Sequence, residues 1–202
     1  MLTIEQIRQE ARNLLEHAVV IDTESTGLGE NDTIVELAAV RAFDRSVIFN
    51  SLVIPSSPMH PAAEAVHGIS TIMAHAHGQS TNSAINDLIE RASDASCTFI
   101  TAYNLPFDRR LIEQSMLKNT TPPHPPHFIS LLLMTDSPCI MELANRFFHE
   151  HLEWCQERSQ FKRLSLEKCL KIAGIEREGI AHRALSDALA ATDLLRFIAG
   201  ED

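Results

Sequence analysis

The chain has 202 residues, of which 45% are hydrophobic and 22% are charged, and its formal net charge is −10 at pH 7. The length allows one sizeable α/β domain, the composition is typical of a soluble globular protein, and no apolar run reaches the length of a membrane span. The acidic balance disfavours a protein that binds long duplexes independently of sequence, because phosphate contacts dominate such binding. The N-terminal segment has no apolar signal-peptide core, and the four cysteines are scattered, so we expect a cytoplasmic protein with reduced thiols.

The first predicted elements are a helix and three strands. Thr3 and Gln6 fit a capping box, and apolar residues recur after them at helical spacing, so a helix over 1–17 is expected to pack onto a core over 18–199. The strand candidates lie at 18–23, 34–41 and 47–54. Short turns separate them, which predicts an antiparallel meander.

Helices and strands alternate along the rest of the chain. Further helices are predicted near 61–66, 82–92, 106–117, 165–173 and 182–199, and further strands at 97–103 and 138–143, the second of these leading into a helix through about residue 156. The segment NTTPPHPPH at 119–127 predicts a proline-rich loop, and the run FISLLLM after it fits a strand or a helix. The whole order predicts a single domain over 1–202 with an α/β fold, in which helices flank a mixed sheet of about five strands.

Two acidic residues end the first predicted strand in the run VVIDTESTGL. Residues i and i+2 of a strand point to the same side, so Asp22 and Glu24 are expected to place two carboxylates next to each other. Like charges that close resist ionisation. The pair therefore needs a shared proton or a metal cation.

Two more acids and a histidine lie near the ends of other elements. Asp108 lies just inside the helix that follows a strand, and Asp187 lies within the last helix, five residues after His182. Five helical residues rotate by about 500°, so His182 is expected on the loop or first turn rather than on the face of Asp187. Four carboxylates suit two Mg²⁺ or Mn²⁺ ions that act on a phosphodiester, and a neutral histidine can accept the proton of the attacking water.

These residues resemble the three motifs of the DEDDh 3′-to-5′ exonucleases, of the proofreading-subunit type with an RNase H-like fold. The motifs are Asp22-x-Glu24, Asn104-x-x-Phe107-Asp108 and His182-x-x-x-x-Asp187, and VHGIS at 66–70 resembles a further family element. The similarity covers about residues 18–199. The resemblance implies that Asp22 bridges both ions, that Glu24 and Asp187 complete the tighter site and Asp108 the second, and that His182 is the general base.

The resemblance also implies a binding site for the terminal nucleotide. The residues that it assigns to substrate binding are Ser25, Thr26, Gly27, Leu28, His67, Asn104 and Phe107. Three positions depart from the family pattern: Ser25 replaces a threonine, Tyr103 stands where histidine often precedes the asparagine, and Cys139-Ile140-Met141 replaces a frequent Asp-Thr pair. None of the five catalytic positions is missing.

Simpler interpretations remain open for several residues. His67 fits a helix cap equally well, and Phe107 fits a core position better than a pocket. His149, His151 and Cys155 have no standard zinc spacing and no clear fourth ligand, so an exposed helix is favoured there. His75 and His77 are expected in a loop.

The favoured function is a metal-dependent exonuclease that acts on the 3′ ends of single-stranded or frayed DNA and releases nucleoside 5′-monophosphates. RNA is the rival substrate, and a nucleic-acid-binding module without turnover is the alternative class. With one tryptophan and one tyrosine, the chain has no aromatic ladder for a long single strand. Because only 15 residues follow Asp187, a stable polymerase contact through a C-terminal tail is not expected.

Overall fold

The structure is a computed structural model that describes residues 3–118 and 139–201. The proline-rich loop predicted at 119–127 and the run FISLLLM lie outside the described residues. Within the described ranges, no helix is long and apolar enough to cross a membrane.

The central sheet has the order β3-β2-β1-β4. Its strands are β1 (Ala18–Ser25), β2 (Ile34–Arg41), β3 (Val47–Leu52) and β4 (Phe99–Ala102). The first three strands form the predicted antiparallel meander, and β4 pairs with β1 in parallel, so the sheet is mixed. The parallel pairing brings the carboxyl ends of β1 and β4 to one edge of the sheet.

Eight α-helices are described. They are α1 (Ile4–His17), α2 (Pro61–His67), α3 (Thr71–His77), α4 (Thr81–Asp94), α5 (Leu105–Lys118), α6 (Ile140–Phe147), α7 (Leu166–Ala173) and α8 (Ala184–Ala199). The capping box predicted for α1 is confirmed, because Thr3 and Gln6 exchange side-chain-to-backbone bonds of 2.8 and 3.2 Å. Gly174 ends α7 in the left-handed conformation, in agreement with the helix predicted at 165–173.

The fifth strand predicted at 138–143 is wrong. Helix α6 begins at Ile140, and its buried Leu143 and Ala144 follow at helical spacing in the same apolar cluster. The prediction of one helix through residue 156 is also wrong, because a 3₁₀ turn at His149–His151 precedes a hairpin of β5 (Trp154–Cys155) and β6 (Gln160–Phe161). Among the described residues, the main sheet therefore has four strands, and the α/β class is confirmed.

His75 and His77 lie in helix α3, so the loop predicted there is wrong. The Ser70 hydroxyl accepts a hydrogen bond from the backbone N–H of Met73 at 3.1 Å, which caps the start of this short helix. Ala74 faces a small apolar cluster with Val35 and Ile69.

Strand β1 separates two apolar clusters. Val20 packs into the cluster formed by helices α1, α6, α7 and α8, whereas Val19 and Ile21 pack into the cluster formed by α4 and α5. This division follows from the alternation of side chains along a strand. The next residues continue it, so Asp22 and Glu24 lie on the α8 side and Thr23 lies on the α5 side.

Candidate active site

Three carboxylates meet where β1 ends. Asp22 and Glu24 point to the face that α8 covers, and Asp187 lies in the first turn of α8. One carboxylate oxygen from each of these residues lies within 4.8 Å of the other two. The structure therefore brings together residues that are more than 160 positions apart in the chain.

Asp108 reaches the same edge from the other side of the sheet. It lies in the first turn of α5, is 4% exposed, and its Oδ1 accepts a hydrogen bond from the Thr23 hydroxyl at 2.8 Å. The pairing of Ile21 with Ala102 explains this position, because it sets the start of α5 next to the end of β1. Asp108 also acts electrostatically on Asp22 and Glu24.

Burial and mutual repulsion disfavour ionisation of these acids. Burial raises the pKa of Glu24 to about 8, with a further contribution from Asp187. Burial also raises the pKa of Asp108 to about 7 and the pKa of Asp22 well above its usual range. The donor set consists of carboxylate oxygens that repel one another without a cation, and this chemistry fits hard divalent ions such as Mg²⁺ or Mn²⁺.

A protein cation already contacts one of the acids. Arg177 Nη1 donates to Asp187 Oδ1, and Arg177 Nη2 donates to Glu167 Oε2 at 3.3 Å. Burial raises the pKa of Asp187, while Arg177 and His182 act to lower it. Arg177 therefore neutralises part of the charge at the edge of the cluster.

His182 lies on the loop before α8, as predicted. Its side chain is exposed, and its backbone has a φ of 59°, in the left-handed region that non-glycine residues seldom adopt. This turn places His182 before the first residue of α8, near Asp187, rather than on a face of the helix. The position leaves the imidazole accessible to water.

The Ser25–Leu28 turn has a fixed internal structure. Ser25 Oγ donates to the Gly27 carbonyl at 2.7 Å, and Asp32 accepts hydrogen bonds from Thr26 Oγ1 at 2.8 Å and from the Gly29 N–H at 2.6 Å. A Cβ on Gly27 would lie 2.7 Å from Asp32 Oδ2, so a side chain at this position would displace the carboxylate. Asp32 thus organises the turn.

A pocket of about 570 Å³ opens beside the carboxylates. Its lining includes Glu24, Leu28, His60, Val66 and His67. Leu28 is 77% exposed, so it is not a core residue. The lining thus combines carboxylates with apolar side chains.

His67 joins the pocket to the turn. Its Nε2 lies 3.2 Å from the Ser25 carbonyl, and its Nδ1 accepts a hydrogen bond from the Ile69 N–H at 3.0 Å. The residue is 5% exposed and is the last residue of α2. Both interpretations of His67 therefore describe its position, because it lines the pocket and also holds the backbone that follows the helix.

Asn104 and Phe107 lie at the start of α5. The Asn104 carbonyl accepts from the Phe107 N–H at 2.9 Å, which opens the helix that carries Asp108. Phe107 packs partly buried against the core, and the Arg110 guanidinium lies 5.2 Å from its ring centroid. These contacts agree with the core interpretation of Phe107.

Several residues near the site were missed by sequence reasoning. They are Asp32, Glu36, His60, Arg177 and Arg183. Glu36 left a signal, because it is the one acid in the strand IVELAAVR, whose first seven residues are all buried. Asp32 and Arg177 lie in polar segments, where a charged residue does not by itself indicate a functional site.

Comparison with known proteins identifies the family. Residues 19–195 match the exonuclease family named RNase T, and the chain belongs to this family. This family is of the DEDDh type, and the fold of the chain is RNase H-like.

One sequence relative and two solved structures give the extent of the likeness. The chain is 30% identical over 196 residues to the uncharacterized exonuclease CP81 of Escherichia phage 186, covering 92% of this chain and 90% of that protein. It matches exonuclease X in complex with 5′ overhanging duplex DNA at 25% identity and a TM-score of 0.61, over 91% of each chain. It also matches E. coli exonuclease I in complex with a dA16 oligonucleotide at 19% identity and a TM-score of 0.65, over 92% of this chain and 41% of that one. The last likeness concerns the fold alone.

Proposed function

We propose that this chain is a metal-dependent 3′-to-5′ exonuclease of single-stranded or frayed DNA ends that releases nucleoside 5′-monophosphates. The observation that carries the proposal is the approach of Asp22, Glu24 and Asp187 within 4.8 Å, next to a pocket of about 570 Å³. This volume lies within the usual range for small-molecule sites, and it suits one terminal nucleotide better than a continuous strand. Such an activity serves DNA repair or proofreading.

The residues divide the work as follows. Asp22, Glu24, Asp108 and Asp187 would hold two divalent ions, Mg²⁺ or Mn²⁺, which supply an activated hydroxide and neutralise the charge of the leaving oxygen when bound. The Ser25–Leu28 turn and His67 orient the terminal sugar and base. His182 accepts the proton of the attacking water.

DNA is favoured as the substrate because the 25% identical exonuclease X was solved with overhanging duplex DNA. The four cysteines are free, which suits the reducing cytoplasm expected from the sequence. We also propose that α1 belongs to the same domain as the catalytic core. In support, Leu14 and Leu15 of α1 share an apolar cluster with Leu194 and Ile198 of α8.

The test uses purified protein with Mg²⁺ or Mn²⁺ and matched 3′-tailed DNA and RNA labelled at the 5′ end. We expect a ladder that shortens from the 3′ end of DNA, mononucleotide products, and no cleavage with EDTA. Asp22→Ala and Asp187→Ala should abolish cleavage while circular dichroism stays unchanged, whereas Glu90→Gln, at an exposed acid of α4, should cleave like the wild type.

Other outcomes point to the other candidates. A ladder on RNA alone would move the substrate to RNA and keep the chemistry. Strand binding without cleavage on either substrate would favour a binding module. Full activity of Asp22→Ala would contradict the proposed site.

A further inference from the structure

Glu36 is a buried acid that lies beside the site and is held there by hydrogen bonds. It lies in β2, is 2% exposed, and pairs in register with Glu24 of β1. Paired residues of antiparallel strands point to the same face, so Glu36 and Glu24 both face α8. A carboxylate that is buried this fully requires compensating partners.

Those partners come from the start of α8, almost 150 residues further along the chain. Arg183 Nη2 donates to Glu36 Oε1 at 2.6 Å, and Arg183 Nε lies 3.2 and 3.1 Å from the two carboxylate oxygens. The Ala184 N–H donates to Glu36 Oε2 at 2.8 Å. Arg183 makes no side-chain capping bond at the N-cap position, so the carboxylate from β2 caps the helix instead.

The start of α8 lies between two residues of the proposed site, His182 and Asp187. His182 immediately precedes Arg183, and the Asp187 N–H donates to the Arg183 carbonyl at 3.0 Å. Movement of Arg183 relative to β2 would therefore move both His182 and Asp187. On the other side, Glu36 belongs to the strand that holds β1 and its two acids in register.

We propose that Glu36 and Arg183 form a positioning pair that fixes the start of α8 against the sheet, so that His182 and Asp187 face Asp22 and Glu24. This role rests on the proposed exonuclease function. Neither residue touches the substrate in this scheme. They act through the helix start that they hold.

A purely structural role makes a different prediction. Removing one member of a buried ion pair lowers stability in either case, because the other charge stays buried without compensation. Only a positioning role slows catalysis in protein that remains folded. Misplacement by about 1 Å can cost about 100-fold in rate, so the effect is measurable.

The experiment compares Glu36→Gln, Arg183→Gln and the double variant with the wild type. The matched controls are Glu10→Gln and Arg146→Gln, which break a 2.9 Å pair between α1 and α6, away from the site. The kcat and KM for a 5′-labelled single strand are measured well below the Tm of each variant. Mn²⁺ affinity is measured by calorimetry without DNA.

We expect Glu36→Gln and Arg183→Gln each to lower kcat by about tenfold or more, with KM changed less than about twofold. Both should weaken Mn²⁺ binding, and the double variant should be no slower than the slower single variant, because both changes remove one interaction. Arg183→Gln keeps the cap from Glu36 to Ala184, so it tests the pair even if Glu36→Gln does not fold. The control variants should lower Tm without lowering kcat.

An unchanged kcat and Mn²⁺ affinity in folded Arg183→Gln would overturn the inference, as would an equal loss of kcat in the controls. A wild-type protein that cleaves no strand would instead refute the proposed function. In that case the Mn²⁺ titration still decides whether the pair positions Asp187.

Discussion

The Thr23 hydroxyl donates a 2.8 Å hydrogen bond to Asp108, and this bond joins the end of β1 to the start of α5. Asp108 comes from the layer of helices opposite to the one that supplies Asp187. The bond favours the ionised form of Asp108 and acts against the rise in pKa that burial causes. Thr23 therefore keeps one proposed metal ligand available near neutral pH.

Thr23→Val should raise the Mg²⁺ concentration needed for half-maximal activity. Without the hydrogen bond, the pKa of Asp108 rises further, and protons compete with the metal for its carboxylate. The loss of a hydrogen bond to a charged group should therefore raise this Mg²⁺ concentration about tenfold. The measurement is activity against Mg²⁺ concentration at pH 7. Thr23→Ser keeps the hydroxyl and is the control, so an equal shift in both variants would contradict the explanation.

Arg177→Gln should tighten Mn²⁺ binding at a pH above neutrality. The Arg177 guanidinium donates a hydrogen bond to the Asp187 carboxylate in the metal-free protein, so a divalent ion has to compete with the guanidinium for this carboxylate. Without the arginine, we expect the dissociation constant measured by calorimetry to fall several-fold, by about the strength of a partly exposed ion pair. Arg177→Lys keeps the charge and should bind Mn²⁺ like the wild type. Weaker binding by Arg177→Gln would show that Arg177 assists the metal instead.

The stability of the metal-free protein should fall as pH rises. The folded-state pKa of Glu24 is about 8, above its ordinary value of 4.5, so the folded protein binds more protons than the unfolded chain between these pH values. The contribution of Glu24 to the free energy of unfolding is therefore fully present below about pH 4.5, and it is lost as the pH rises towards about 8. Asp108, with a pKa of about 7, adds to the loss in the same direction.

Thermal unfolding in EDTA across this pH range measures the effect. Glu24→Gln should have a higher Tm than the wild type at the alkaline end, because its neutral amide does not repel Asp22 and Asp187. Mg²⁺ should raise the Tm of the wild type most at the same end. A Tm in EDTA that rises with pH would contradict the clustered, protonated acids.

Gly27→Ala should weaken DNA binding and lower stability. The new Cβ would meet the Asp32 carboxylate, which holds Thr26 and Gly29 in the turn beside the pocket. Overpacking of this kind typically costs about 1–3 kcal/mol, and we expect KM for DNA to rise with little change in kcat. Gly27→Ala combined with Asp32→Ala should recover part of the Tm. A KM equal to that of the wild type in Gly27→Ala would place the turn outside the binding site.

Sequence reasoning succeeded where the signal was local. The i, i+2 spacing of Asp22 and Glu24 predicts their common direction because side chains alternate along any strand. The pattern at Thr3 and Gln6 predicts the start of α1 for a similar reason, since both capping bonds lie within one turn. The position of His182 before the helix follows from the rotation of a helix over five residues.

The features that were missed depend on contacts between distant segments or on short apolar runs. The Glu36–Arg183 contact joins residues 147 positions apart, and no local pattern encodes their meeting. The segment Ile140–Phe147 is only eight residues long, and its start, IMEL, fits a strand until its packing against α1 and α8 is known.

The alternation along β1 acts like a reading frame with a period of two. Even-numbered positions from Val20 to Glu24 face the layer of α8, and odd-numbered positions from Val19 to Thr23 face the layer of α5. An insertion or deletion of one residue between 18 and 22 would shift this frame, turning both acids towards α5 and away from Asp187. One added residue inside this strand would therefore dismantle the site without altering any of its residues.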